Sequence, residues 1–185
     1  MRIIGGNLKR RTIIAPAKLD VRPTTDMAKE ALFNILNNYF DFSEISVLDL
    51  FAGIGSISYE FASREAESVT SVDANPQCIA FIKQTADKFQ LENLQPVKSD
   101  SLDFLERCKL TFDIIFADPP YNYESTEKIP EIVFRRKLLK PEALLIIEHP
   151  AAVNFSENDY FFEKRKYGKV NFSFFKMTGD DIKEG

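Results

Sequence analysis

Apolar positions along this chain follow two alternating rhythms. From Thr25 onward Ala28, Ala31, Leu32, Ile35, Leu36, Tyr39 and Phe40 recur three and four residues apart, the period of a helix that buries one side. Asp26 falls in its first turn, where the helix dipole favours an acid. Beyond residue 45 short apolar runs take over and alternate with helical stretches: SVLDLF, a helix over SISYEFASR, SVTSVD, a helix from Pro76 to about Leu91, QPVKSD, and a short helix near Leu102. FDIIFAD, a helix over 126–138 and ALLIIEH continue the series. Apolar strands separated by helices predict an α/β fold with a mainly parallel sheet, covered on both faces and wound right-handed. The rhythm changes at both ends. RIIGG and RTIIAP read as two short strands around Gly5 and Gly6, a small N-terminal β-hairpin that RPTT then breaks. YFFEKRKYGKVNFSFFKM reads as a C-terminal hairpin around Gly168, with Phe172 and Phe174 on one face.

At 185 residues and 44% hydrophobic, the chain suits one core. The expectation is a single domain over residues 1–185, with 1–22 as a basic extension. Net charge is −4, which argues against a nucleic-acid partner until its distribution is considered. Residues 1–22 carry Arg2, Lys9, Arg10, Arg11, Lys18 and Arg22 against Asp20, a local charge of +5 that leaves −9 on the remainder. Phosphate binding needs a local patch, not a basic total. A second basic cluster is Lys164, Arg165, Lys166 and Lys169. No apolar run is long enough to span a bilayer and no signal-peptide pattern opens the chain, so a cytoplasmic protein with no membrane partner is expected. Cys78 and Cys108 are too few and too far apart for a zinc cluster or redox pair and read as packed thiols; no metal ligand set is evident.

Chemistry concentrates where the strands end. DLFAGIGS puts Gly53 and Gly55 in the turn after the first strand, where backbone can approach a ligand without an intervening Cβ. Asp73 closes the second strand twenty residues after Gly53, a spacing that suits an acid on ribose hydroxyls. A dinucleotide fingerprint needs a third glycine at position 58, but Ser58 stands there. Asp49 precedes the loop, and a carboxylate there repels a pyrophosphate and attracts a cation. S-adenosyl-L-methionine, with its ammonium and sulfonium, fits better than NAD. Asp100 could then accept from the adenine amine.

FDIIFADPPYNY ends the fourth strand in an acid, two prolines and an aromatic. Two prolines remove two backbone donors and leave carbonyl oxygens with no local partner. An aromatic amine is a poor nucleophile until its lone pair leaves the ring. Asp118 and the Pro119 carbonyl, accepting its two N–H bonds, would aim that lone pair at a methyl donor. Pro120 helps to hold the turn, and Tyr121 would stack on the base. His149, the sole histidine, has no nucleophile beside it and reads as structural.

DLFAGIG together with DPPY resembles the Rossmann-like S-adenosylmethionine-dependent amino-methyltransferases over residues 45–150. RIIGG, RPTTD at 22–26 and LFNIL narrow the resemblance to the bacterial 16S rRNA guanine(966)-N(2)-methyltransferases. That implies a class I methyltransferase fold with a seven-stranded sheet and an antiparallel last strand. It implies S-adenosylmethionine lined by Arg22, Thr24, Thr25, Asp49, Phe51, Gly53, Gly55, Asp73, Ala74, Asp100, Ser101 and Asp118, with Asp118, Pro119, Pro120 and Tyr121 at the target amine. Lys9, Arg10 and Arg11 would grip RNA. The implied partner is 16S rRNA or the assembled small ribosomal subunit, met by a monomer. Rival readings are a DNA or RNA adenine-N6 methyltransferase, since DPPY also serves that amine, an NAD-dependent oxidoreductase, and a non-catalytic RNA-binding module.

Overall fold

The computed structural model describes residues 1–16, 19 and 25–177. Helix α1 (Asp26–Leu36) is followed by a single 3-10 turn (Phe42–Glu44), and then strands and helices alternate. They are β1 (Ser46–Leu50), α2 (Ser56–Ser63), β2 (Ser68–Asp73), α3 (Pro76–Phe89), β3 (Leu94–Lys98), α4 (Ser101–Arg107), β4 (Phe112–Ala117), α5 (Lys128–Arg135), β5 (Leu139–His149), β6 (Phe161–Tyr167) and β7 (Val170–Phe175). The sheet has seven strands in the order β3-β2-β1-β4-β5-β7-β6. β1 to β5 are mutually parallel, while β7 runs antiparallel to both β5 and β6. The predicted α/β class, the antiparallel ending and the seven strands are all present.

Each sheet face is sealed by its own apolar layer. Val47, Ile114, Phe116, Leu144, Ile146, Phe172 and Phe174 pack against Leu32 and Phe33 of α1, Ile57 and Phe61 of α2, and Ile82 of α3. Leu48, Leu50, Ile115, Ala117, Leu145 and Ile147 meet Leu105 of α4 and Ile129, Ile132 and Val133 of α5 on the other face. Because side chains alternate along a strand, this division assigns a face to every residue of the sheet. The chain leaves β1 in one direction across the sheet and returns to β4 on its other side, so strand order reverses between them. Open α/β sheets bind ligands at that crevice, beyond the carboxyl ends of the strands.

Three elements differ from expectation. α1 stops at Leu36, so Tyr39 lies outside it and is exposed, while Phe33 joins the core against Phe61 at 4.7 Å between ring centroids. α5 is shorter than residues 126–138, and β5 starts at Leu139 with Glu142 at φ 60° inside it. The N-terminal hairpin consists of one bridge, Arg2 to Thr12, in place of two strands.

The same segment also docks on α2. Gly5 and Gly6 lie so close to the end of α2 that a Cβ on Gly6 would sit 1.8 Å from the Ser63 carbonyl oxygen. Asn7 donates its N–H to that carbonyl at 2.7 Å, and Leu8 donates to the Ser63 hydroxyl at 2.9 Å. Glu60, fully buried, accepts from the backbone of Ile4 at 2.6 Å and from the buried ammonium of Lys29 at 3.3 Å. Lys29 in turn donates to the Arg2 carbonyl at 2.7 Å. The segment divides its backbone bonds between itself, with Ile3 donating to Arg11 at 2.9 Å and Ile13 to Met1 at 2.9 Å, and the helix.

Candidate active site

The turn after β1 is shaped by left-handed backbone at three residues: Phe51 (φ 57°), Gly53 (φ 55°) and Gly55 (φ 81°). Gly55 must lack a side chain, since a Cβ would meet the Tyr59 ring at 2.9 Å. Gly53 donates its N–H to Asp73 Oδ2 at 2.8 Å, and Asn75 donates to Asp73 Oδ1 at 2.8 Å. Asp73, half-buried at the end of β2, therefore ties the glycine turn to the start of α3, and each of its oxygens keeps a lone pair for a further donor.

Below the turn, Asp49 is buried and accepts from the Ser58 hydroxyl, which also meets the Ser71 hydroxyl at 2.5 Å. Where a third glycine would let α2 lie closely on the sheet, Ser58 stitches the helix to β1 and β2. Burial pushes the Asp49 carboxyl up to about 7, with the negative charge of Asp73 adding to the effect and the Ser58 hydrogen bond opposing it.

The end of β4 meets the end of β1 directly, with the Asp118 N–H 3.4 Å from the Leu50 carbonyl oxygen. Asp118 is half-buried, Pro119 buried, and Pro120 and Tyr121 exposed, Tyr121 at 63%. One expectation is corrected here. The Pro120 carbonyl has a local partner after all, the N–H of Tyr123 at 2.8 Å, which folds the segment into a turn. Tyr123 also sets its ring edge-on to Phe51, centroids 5.0 Å apart, and closes a wall between the loops after β1 and β4. Burial, then the charge of nearby Asp100, raises the Tyr123 hydroxyl above its ordinary range.

Asp100 is exposed and caps α4, accepting from Leu102 at 2.9 Å and Asp103 at 3.1 Å through Oδ1 alone. Ser101 is buried and Ala74 exposed. Thr25 caps α1 through the Ala28 N–H at 3.3 Å; Arg22 and Thr24 lie outside the described residues. Lys9, Arg10 and Arg11 are exposed on the docked N-terminal segment. His149 faces the opposite side of the sheet from Glu148, its ring nitrogens 2.9 Å from the Pro150 carbonyl and 2.8 Å from the Ser173 hydroxyl, edge-on to Phe155.

Sequence reasoning missed Tyr123 and Glu148. Glu148 is the one acid inside the apolar run ALLIIEH, and it is buried. Burial and the like charges of Glu148 and Asp49 hold the Asp118 carboxyl well above the usual carboxylate range. The carboxyl edge of the sheet thus carries an acid at five successive strand ends: Asp100, Asp73, Asp49, Asp118 and Glu148, for β3, β2, β1, β4 and β5. Asp73 and Asp100, the more accessible acids at the β2 and β3 tips, are placed to meet a cationic ligand. The buried Ser56 hydroxyl at the start of α2, with no hydrogen-bond partner among the described residues, adds a polar group at the same turn.

An open sheet of this topology, a glycine turn at its switch point, an acidic rim and DPPY on the adjoining tip define a Rossmann-like methyltransferase that uses S-adenosylmethionine. Comparison with known proteins agrees. A family model described as conserved hypothetical protein 95 matches residues 1–176, and the chain belongs to that family. It is 34% identical over 152 residues to a ribosomal RNA small subunit methyltransferase D of Haemophilus influenzae, covering 80% of this chain and 78% of that one. A protein of the same name from Buchnera aphidicola is 28% identical over 179 residues, covering 95% and 91%. A Thermus hypothetical protein of solved structure shares the fold with a TM-score of 0.84 at 23% identity, covering 96% and 99%.

Proposed function

We propose that this protein transfers the methyl group of S-adenosylmethionine to the exocyclic N2 amine of a guanine in small-subunit ribosomal RNA. The observation that carries the reading is the contact of the Asp118 backbone with Leu50, which sets DPPY beside the strand that leads into the glycine turn. The names of the relatives above support ribosomal RNA as the substrate, and the resemblance of RIIGG, RPTTD and LFNIL supports guanine N2.

The cofactor fits the residues present. Asp49, Asp73 and Asp100 of the rim would balance its positive charge, with Asp49, Phe51, Gly53 and Gly55 at the methionine end, Asp73 and Ala74 at the ribose, and Asp100 and Ser101 at the adenine. Arg22, Thr24 and Thr25 would close the same side. When bound, S-adenosylmethionine supplies an electrophilic methyl carbon. Asp118 and the Pro119 carbonyl accept the N–H bonds of the target amine and direct its lone pair outward. Tyr121, exposed beside them, stacks on the base and fixes its plane. Alignment of this kind can lower a barrier by about 7 to 11 kcal/mol, so positioning outweighs proton transfer. The amine loses its proton to water after transfer, and no titrating base is required.

Lys9, Arg10 and Arg11 would bind RNA phosphates, and the target guanine would be unstacked to enter the pocket. Cellular RNA incubated with labelled donor and digested to nucleosides tests the reading. N2-methylguanosine is expected; N6-methyladenosine, or no incorporation at all, would overturn it.

A further inference from the structure

We propose that Glu148 is the residue that selects guanine over adenine, by accepting the N1–H of the target base beside the amine held by Asp118. The inference rests on the guanine-N2 reading above and names what that site recognises.

Geometry brings the two carboxylates together. β4 and β5 run parallel with Ala117 opposite Ile147, so Asp118 and Glu148 are the next residues in line. Alternation puts both on the face that carries Phe116 and Ile146. Neighbouring strands lie about 4.8 Å apart, which sets two acceptors side by side at the sheet's edge. Glu148 is 5% exposed and sits opposite Phe172. A carboxylate has about four lone-pair sites, so Glu148 can hold a protein partner and still receive a ligand donor.

The edges of the two purines differ where these acceptors lie. Guanine presents its 2-amine next to N1–H, two donors in a row. Adenine presents its 6-amine next to N1, a donor beside a lone pair. Asp118 meets the amine in either case, and for that reason DPPY cannot tell the bases apart. A second carboxylate can: it gains a hydrogen bond from guanine and faces the N1 lone pair of adenine. Sites built to pair with a substrate N–H reject the analogue that lacks it strongly, because a buried polar group is then left unmatched.

The test uses small-subunit RNA ligated to carry, at the mapped target, either guanosine or 2-aminopurine riboside. The analogue keeps the 2-amine but has a lone pair at N1. Wild-type protein is expected to methylate guanosine roughly 100-fold faster than the analogue. Glu148→Gln should lose a similar factor on guanosine and recover on 2-aminopurine, since its amide can donate to N1. S-adenosylmethionine affinity, read by calorimetry, should stay within about threefold. Equal rates of the wild type on the two RNAs, or an equal loss by the variant on both, would overturn the proposal. The wild-type comparison decides alone if the variant does not fold. A wild type inert on guanosine RNA refutes the guanine-N2 reading itself, and this inference with it.

Discussion

The N–H of Asp118 lies 3.4 Å from the carbonyl oxygen of Leu50, a parallel-sheet contact made one residue past the end of β4. It fixes the tip that would receive the amine against the tip that leads to the glycine turn. Replacing Asp118 by Ala leaves that backbone contact intact and removes only the acceptor. Methyl transfer should fall on the order of 10²- to 10³-fold, while S-adenosylmethionine affinity measured by calorimetry is retained. Unchanged incorporation into RNA would remove Asp118 from the mechanism.

Asp49 makes a prediction whose sign can be worked out. Its carboxyl is raised from 3.8 to about 7 in the fold, so the native state holds a proton more tightly than the unfolded chain between those values. Stability should fall as pH rises from about 4 to 7. Asp49→Asn removes the charge and keeps an acceptor for Ser58. Urea titrations should find it more stable than wild type at pH 8, by up to about 4 kcal/mol, and equal at pH 3. The same change should weaken cofactor binding at pH 8, because the anion that complements the cation is gone. Lower stability of Asp49→Asn at pH 8 would show that burial is not the dominant influence.

Tyr121 is tested by comparing two substitutions. Its ring is exposed beside Asp118 in the chain, and stacking on a base is worth roughly 1 to 3 kcal/mol. Tyr121→Ala should reduce turnover about 10- to 100-fold, whereas Tyr121→Phe should be nearly unaffected. If Phe is as damaging as Ala, the hydroxyl matters and stacking is the wrong role.

Reversal of charge at Lys9, Arg10 and Arg11 should weaken RNA binding most at low salt. The slope of log affinity against log salt should become shallower by about 2 to 3. Filter binding over a salt series measures it, and an unaltered slope would place the phosphate contacts elsewhere.

Glu60→Ala should destabilise the fold by about 3 to 5 kcal/mol, since it takes the buried carboxylate from Lys29, leaving that ammonium to the Arg2 carbonyl and to Asp26 at 3.8 Å, and removes the acceptor of the Ile4 N–H. Thermal unfolding with and without S-adenosylmethionine would show it, and a midpoint within a degree or two of wild type would contradict the account.

Much of the architecture could be read from patterning, because runs such as SVLDL and FDIIFA are apolar on both faces and only a covered parallel sheet accommodates them. The glycine turn and DPPY were legible for a similar reason: their backbone demands leave few alternatives. Glu60 and Lys29 were not. A polar residue on a helix looks solvent-facing from sequence, and their partners lie 31 residues apart or on the N-terminal segment. Glu148 escaped notice because its meaning depends on which strand neighbours β5. Asp73 and Asp100 were read as ligand acceptors, yet each also holds a local turn or cap. Those contacts pre-orient the carboxylates and are invisible in spacing alone.

The clamp between Gly5, Gly6 and the last turn of α2 carries an evolutionary consequence. A side chain at Gly6 is blocked by the Ser63 carbonyl, and Glu60 cannot change without abandoning Lys29. These positions can drift only in concert, so a lineage could vary the exposed Lys9 to Arg11 stretch while this small set of residues stays fixed.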